Sequence, residues 1–211
     1  MTSERTRVRL VRQLTQMGIS NPEVLNQIKT VPRHLFIDEG LASRAYENTA
    51  LPIGHGQTIS QPYIVARMTE LLLQGPLEKV LEIGAGCGYQ SAVLSEFADK
   101  VFAVERIASL AIKLRERIQQ LRYPNILVKH GDGMEGWAEN SPYDAILVAA
   151  APVVVPPQLL QQLKVGGRLI IPVGNESSQT LLLITREDET NYSEEKLDAV
   201  SFVPMRSGVS K

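Results

Sequence analysis

The residues with the clearest chemical purpose lie between Val80 and Leu94, in the stretch VLEIGAGCGYQSAVL. An apolar run containing Glu82 and Ile83 meets three glycines, Gly84, Gly86 and Gly88, and a further apolar-patterned segment follows. A strand that turns at once into a helix needs backbone that accepts positive φ and close approach, and glycine supplies both. The N–H groups at such a helix start can face a polar ligand. Glu105 ends the next apolar run, VFAVE, twenty-one positions after Gly84. A carboxylate at that place accepts hydrogen bonds from both hydroxyls of a ribose. A third run ends in His130-Gly131-Asp132-Gly133. There Asp132 suits the exocyclic amine of adenine and the Gly133 N–H suits a ring nitrogen. The chemistry these spacings describe is the binding of a nucleoside.

Each of these residues also has a reading without a ligand. The three glycines could form only a tight strand-to-helix turn, Glu105 could be a solvated strand end beside Arg106, and Gly-Asp-Gly turns a chain unaided. The three together, correctly spaced, favour the nucleoside. Its identity follows from what is absent. The glycines read G-x-G-x-G, and position 89, where a dinucleotide fingerprint would place its third glycine, is Tyr89. That spacing and the leading Glu82-Ile83 favour S-adenosylmethionine over a pyrophosphate-containing cofactor.

Positioning such residues takes a particular arrangement of elements. From residue 78 onward short apolar runs alternate with amphipathic segments, the pattern of βαβ units on a parallel sheet. The runs are 79–83, 100–105, 126–130, 143–149, 168–173, 180–185 and 197–203, with helices near 88–97, 107–121 and 157–163. The last two runs have only a short connection, which suits a hairpin and an antiparallel edge. Residues 3 to 73 read differently, with helical spacing at Val8, Val11, Leu14 and Met17 and a cap at Gly18. Asn21-Pro22 opens a second helix through Lys29, and Pro62 to Leu73 is a third, with Ile64, Val65, Met68, Leu71 and Leu72 inward. Between them, residues 48–61 read as an ordered loop. The expectation is an open doubly wound, mostly parallel α/β sheet with a helical N-terminal extension (1–76), an α/β core (77–211) and an antiparallel C-terminal edge, all in one domain.

Composition narrows the class further. With 211 residues, 44% of them hydrophobic, the chain can bury roughly 70% of its unfolded surface without staples. Its one cysteine, Cys87, permits no internal disulfide, which fits a reducing compartment. Twenty-two basic residues balance 23 acidic ones, so no field gathers nucleic acid or anionic lipid. The charged start at Met1 leads into no signal-like apolar stretch. The longest apolar run, Ala145 to Val155, falls short of the ~20 residues that span a bilayer. A cytoplasmic protein, without metal or membrane and acting as a monomer, is expected.

Several segments carry a closer resemblance. VPRHLF (31–36), ALPIGHGQTISQPYIVARMTELL (50–72), the glycine stretch 80–94, Gly131 to Gly133 and Phe202-Val203-Pro204 resemble a protein-L-isoaspartate O-methyltransferase over nearly the whole chain. GQTISQPY is specific to that family rather than to methyltransferases at large. The resemblance implies a Rossmann-like S-adenosylmethionine methyltransferase fold and methyl transfer to the α-carboxylate of isoaspartyl, and D-aspartyl, residues of damaged proteins. The ester then collapses to a succinimide that reopens partly as aspartate. The resemblance also implies that Ser60 is the active-site serine, with Thr58, Ile59, Glu82, Gly84, Gly86, Gly88, Glu105, Arg106, Asp132 and Gly133 on the cofactor and Val203 and Pro204 on the substrate. Ser60 has a second reading, as the cap of the helix that starts near Pro62.

The absence of a catalytic triad fits this chemistry. A carboxylate with a pKa near 4 is ionised at neutral pH and needs no general base, so the site must orient it rather than deprotonate it. The apolar segment Leu51 to Gly54 is expected to cover the site. His34, His55 and His130 are too scattered for a metal, Cys87 reads as a small filler, Asp144 as a strand start and Trp137 as core or site wall. Three rivals stand beside this reading. The first is a methyltransferase acting on a nucleic-acid base or a small molecule, and transfer to a base amine would go with an Asn/Asp-Pro-Pro-aromatic motif where this chain has Ala149-Ala150-Ala151-Pro152. An NAD oxidoreductase is disfavoured by Tyr89, and a non-catalytic module would bind cofactor without turnover. The final residues, Met205 to Lys211, depart from the family's apolar-and-glycine ending, which leaves peptide preference open.

Overall fold

The computed structural model describes residues 4–73 and 75–210, so the first three residues of the charged start lie outside it. Helix α1 spans Glu4–Gln16 and buries Leu10 and Leu14, one helical turn apart. Met17, expected on that stripe, is 42% exposed, because the chain reverses at Gly18 (φ 100°) and Ile19 fills the inward place instead. Helix α2 runs Pro22–Thr30, and the Asn21 side chain accepts from the N–H groups of Glu23 and Val24 at 2.9 and 3.2 Å. That satisfies two of the donors a helix start leaves orphaned. Two short 3-10 helices, Arg33–Phe36 and Glu39–Arg44, follow.

The stretch read as a loop at 48–61 contains a small antiparallel hairpin, β1 (Leu51–Gly54) and β2 (Gln57–Ile59). Its strands are only four and three residues long, and Pro52, Gly54 and Gly56 mask their alternation. Leu51 faces Ile59 across the pair, and both are buried. Helix α3 is Pro62–Leu72, with Val65, Met68 and Leu72 buried and Ile64 and Leu71 half-buried.

The α/β part runs β3 (Leu77–Ile83), α4 (Tyr89–Leu94), β4 (Ala98–Glu105), α5 (Ala108–Gln120), β5 (Ile126–His130), β6 (Tyr143–Val148), α6 (Pro157–Gln161), β7 (Leu163–Asn175), β8 (Ser178–Arg186) and β9 (Tyr192–Val200). These seven strands form one sheet in the order β5-β4-β3-β6-β7-β8-β9. Pairing is parallel from β5 to β7 and antiparallel across β7-β8-β9. The antiparallel edge therefore begins one strand earlier than expected. β9 overlaps the run at 197–203 but begins five residues before it, because an edge strand facing water carries Glu194, Glu195 and Lys196 rather than an apolar signal.

Strand order reverses between β3 and β6, and a ligand crevice opens at the carboxyl ends of the strands where that happens. Ile83 pairs with both Val104 and Val148 there. One apolar cluster on each sheet face, with Leu147 and Ile170 on one and Ile146 and Ile171 on the other, holds the sheet. A third joins Leu10, Val24 and Phe36 of the extension to Tyr89 and Val93 of α4, which fastens the N-terminal segment beside the crevice.

Candidate active site

The crevice at the carboxyl ends of β3, β4 and β6 holds a cavity of about 880 Å³ including its mouth, a size that suits a small ligand. Of the residues singled out in the sequence, Thr58, Ile59, Ser60, Glu82, Gly84, Gly86, Glu105, Arg106, Gly133, Val203 and Pro204 all line it. Two stand off its wall. Gly88 (φ 87°) is the residue before α4, and a Cβ there would come within 2.1 Å of Leu114 Cδ1, so its role is to start the helix and seat it on α5. Asp132 spends its carboxylate on the chain itself. It accepts from Met134 N at 2.9 Å and from Gly208 N, which ties its own turn to the C-terminal tail.

Glu105 is buried and held from both sides. The Gly86 N–H donates to Oε2 and the Ile107 N–H to Oε1, each at 2.8 Å. The glycine loop and the end of β4 thus fix one carboxylate, and each of its oxygens keeps a lone pair for a further donor. Glu82 presents the opposite case. It is fully buried on the wall of the same cavity, Ser91 Oγ donates to Oε2, and Oε1 has no partner. Burial pushes its carboxyl up to about 8, the Ser91 hydroxyl pulls it down in part, and the nearby Glu105 raises it further. A buried acid with an unpartnered oxygen, on a residue that lines a cavity, fits a ligand that brings a cation, and a pair of carboxylates there fits a ligand that brings several donors.

Ser60 follows β2 and precedes α3, and its hydroxyl makes no hydrogen bond among the described residues. The role of cap is taken from elsewhere. Asn48 Oδ1 accepts from Tyr63 N at 2.9 Å, and Gln61 Nε2 donates to the Asn48 carbonyl at 2.9 Å. Asn48 therefore serves the helix start, Ser60 does not cap it, and Ser60 lines the cavity. Ser60 also lines a second cleft of about 1220 Å³ with its mouth, which shares Thr58, Ala149 and Val203 with the first. Its other walls include Thr49, Ser201 and Phe202, and no ionisable side chain lines it. The two cavities meet at Ser60.

The hairpin covers the glycine loop. Ile53 lines the first cavity, and its Cδ1 lies 3.1 Å from where a Cβ on Gly86 would be. At the tip, His55 Nε2 and Ser109 Oγ of α5 are 2.9 Å apart, which latches the hairpin across the crevice. The other histidines go to separate places, His34 to the Tyr46 hydroxyl and His130 to the Arg106 carbonyl. Cys87 is a buried free thiol that burial pushes up, the opposite of a reactive thiolate. Trp137 packs edge-on against Phe102 in the core, and Asp144 fixes the start of β3 by accepting from Glu78 N and Lys79 N.

The sequence did not single out Met205 and Arg206, which also line the first cavity. The tail crosses the ends of β4 and β5. Arg106 Nε donates to the Gly208 carbonyl at 3.1 Å, and Ser210 N donates to the Arg106 carbonyl at 2.8 Å. The departure of this tail from the family pattern was visible, but its place over the cavity was a matter of tertiary path.

Comparison with known proteins gives one answer. The family model described as protein-L-isoaspartate(D-aspartate) O-methyltransferase matches residues 5–210. A Pseudomonas paraeruginosa protein named protein-L-isoaspartate O-methyltransferase is 56% identical over 209 residues, covering 99% of each chain. One of that name from Halorhodospira halophila is 54% identical, covering 99% of this chain and 94% of its own. Among solved structures, a Plasmodium falciparum protein assigned to the protein-L-isoaspartate O-methyltransferases, in complex with S-adenosyl-L-homocysteine, superposes with a TM-score of 0.79 at 26% identity, covering 94% of this chain and 97% of that one. Another protein-L-isoaspartate O-methyltransferase superposes with a TM-score of 0.87 at 28% identity, covering 97% and 67%.

Proposed function

The chain belongs to the protein-L-isoaspartate(D-aspartate) O-methyltransferase family, and on that premise we propose how its two adjoining cavities divide one reaction. The first holds S-adenosyl-L-methionine and the second admits an isoaspartyl segment of a damaged polypeptide. The observation that carries this reading is the meeting, at a serine whose hydroxyl is free, of a cavity walled in part by the Glu82 and Glu105 carboxylates and a cleft without ionisable side chains. The acids fit the cofactor. Glu82 Oε1, buried and vacant, takes the ammonium of the amino-acid end, and Glu105, pinned by Gly86 and Ile107, takes the ribose hydroxyls. Thr58, Ile59 and Arg106 complete the walls, and the Gly133 N–H serves the adenine edge. With its carboxylate engaged by Met134 and Gly208, Asp132 supports that edge by holding the turn.

When bound, the cofactor supplies a methyl group on a sulfonium. The acceptor carboxylate is already ionised at neutral pH, so no residue need remove a proton. Ser60 donates a hydrogen bond to one carboxylate oxygen and orients the other for attack, with Val203 and Pro204 beside it. One C–O bond forms, one C–S bond breaks, and the products are a methyl ester and a neutral thioether. The uncharged cleft assists, because a cation beside the carboxylate would bind its electron pairs and slow their donation. Opposite charges cancel as the methyl moves, so exclusion of water by Ile53 and the hairpin favours the step.

In this reading residues 1–76 carry the acceptor loop and residues 77–211 the cofactor site, as parts of one domain. The reading takes the protein to act as a monomer. Balanced charge argues against nucleic acid as acceptor, and the single buried thiol suits the cytoplasm. Among the described residues no helix is long and apolar enough to cross a membrane. The test is transfer of labelled methyl to a synthetic isoaspartyl peptide beside its aspartyl twin. Base-labile label on the isoaspartyl peptide alone is expected, and equal label on both would refute the acceptor assignment.

A further inference from the structure

The loop between β6 and α6 carries two adjacent valines that the fold does not cover. Val153 is 73% exposed and Val154 70%, the highest values among the large apolar side chains described as exposed. Neighbouring valines turned to water are unfavourable for the isolated chain, since each forgoes much of the gain that burial of a valine brings. The loop is nonetheless firmly built. Pro152 lies before the pair and Pro156-Pro157 after it, which restricts the backbone on both sides. Ala151, buried, donates its N–H to the Val203 carbonyl and accepts from Met205 N, both at 2.8 Å, and the Pro152 carbonyl accepts from Gly174 N at 3.0 Å. A valine pair held out on a rigid loop is arranged for contact rather than left over from disorder.

Its position points to the partner. Ala149 and Ala150, at the root of the same loop, line the cofactor cavity, and Ala149 also lines the acceptor cleft. Ala151 pairs with Pro204, so the segment that borders both cavities lies directly against the loop. Pro204 is itself exposed and Val203 half-buried. Val153 and Val154 follow Ala151, the residue hydrogen-bonded to Val203 and Met205, by two and three positions.

We propose that Val153 and Val154, with Pro204, form an apolar lip that receives an apolar side chain flanking the isoaspartate, and so bias the protein toward damaged sites in formerly buried segments. The proposal rests on the acceptor reading given above. An extended polypeptide advances about 3.3 Å per residue, so side chains one to three positions from the reacting carboxylate extend about 3 to 10 Å along the surface around the site. Affinity comes from apolar area removed from water and carries little sequence demand beyond it, which suits an acceptor defined by damage.

The test compares the full chain with its V153S/V154S variant on two isoaspartyl peptides of equal length and charge, one with leucine and valine flanks and one with serine and threonine flanks. Both positions are exposed, so the variant should fold, and its affinity for S-adenosyl-L-homocysteine by calorimetry should match the parent. The parent should show about tenfold higher kcat/KM on the apolar-flanked peptide, carried by KM, and the variant should lose that preference. Equal kcat/KM for both peptides in the parent, or the same preference in the variant, would overturn the lip while leaving the acceptor reading intact. Transfer to neither peptide would overturn the acceptor reading and the lip together.

Discussion

Replacing Glu82 by glutamine should make the protein more stable and a poorer binder of its cofactor, with a stability gain that grows with pH. Glu82 is fully buried, one carboxyl oxygen meets Ser91 and the other nothing, and the next charge is Glu105, of the same sign. Burial, with a contribution from Glu105, raises its folded pKa from 4.5 to about 8. Between those values the folded chain retains a proton that the unfolded chain has lost. Stability therefore falls as pH rises through that window, by about 1.4 kcal/mol per unit, and the accumulated cost at pH 7 is about 3 kcal/mol. Glutamine keeps the volume and does not titrate. Glu82→Gln should match the parent near pH 5 and exceed it by about 2 to 3 kcal/mol at pH 7, or about 5 to 10 °C in melting temperature for a chain of this length. The assay is urea unfolding of cofactor-free protein at pH 5.5, 6.5 and 7.5, read as the difference between the two proteins so that other titrations cancel. Affinity for S-adenosyl-L-homocysteine should fall about 100-fold, because the amide offers no charge to the ammonium. A stability difference that stays constant with pH, or a variant less stable throughout, would refute the account of Glu82.

Two further substitutions probe the parts around it. Glu105→Ala removes the acceptor of the Gly86 and Ile107 N–H groups as well as the ribose contact, so S-adenosyl-L-homocysteine should bind about 100-fold more weakly. An unchanged calorimetric dissociation constant would take Glu105 off the ribose. Asn48→Ala strips the acceptor from Tyr63 N at the start of α3 and should cost about 1 kcal/mol, or roughly 3 °C in thermal unfolding. A melting temperature equal to the parent's would mean that Ser60 or water serves the helix start equally well.

How much of this was legible in the sequence depends on how local each signal is. The glycine loop, Glu105 and the parallel strands announce themselves because each rests on residues close together in the chain. The hairpin at 51–59 was read as loop because its strands are too short to show alternation and its turn residues look like any loop. The first half of strand β9 carries no strand signal because its charges reflect an edge position that only the complete sheet defines. Gly88 looks identical to Gly84 and Gly86 in the motif, yet contact with Leu114, twenty-six residues away, gives it a packing role. The freedom of Ser60 depends on Asn48, twelve residues upstream, and the engagement of Asp132 on Gly208, seventy-six residues downstream. Helix-cap propensity at Ser60 pointed to the wrong residue because a side chain distant in sequence supplied the same oxygen.

The division of labour at Ser60 is the centre of the account, and one comparison tests it most directly. Parent and Ser60→Ala protein would be loaded with saturating S-adenosyl-L-methionine and isoaspartyl peptide, single-turnover methyl transfer timed, and S-adenosyl-L-homocysteine affinity measured on both. Loss of one hydrogen bond to an ionised acceptor predicts a transfer rate lower by about 10- to 100-fold with cofactor affinity unchanged. An unaltered transfer rate, or a loss confined to cofactor affinity, would contradict the assignment of Ser60 as the group that orients the acceptor.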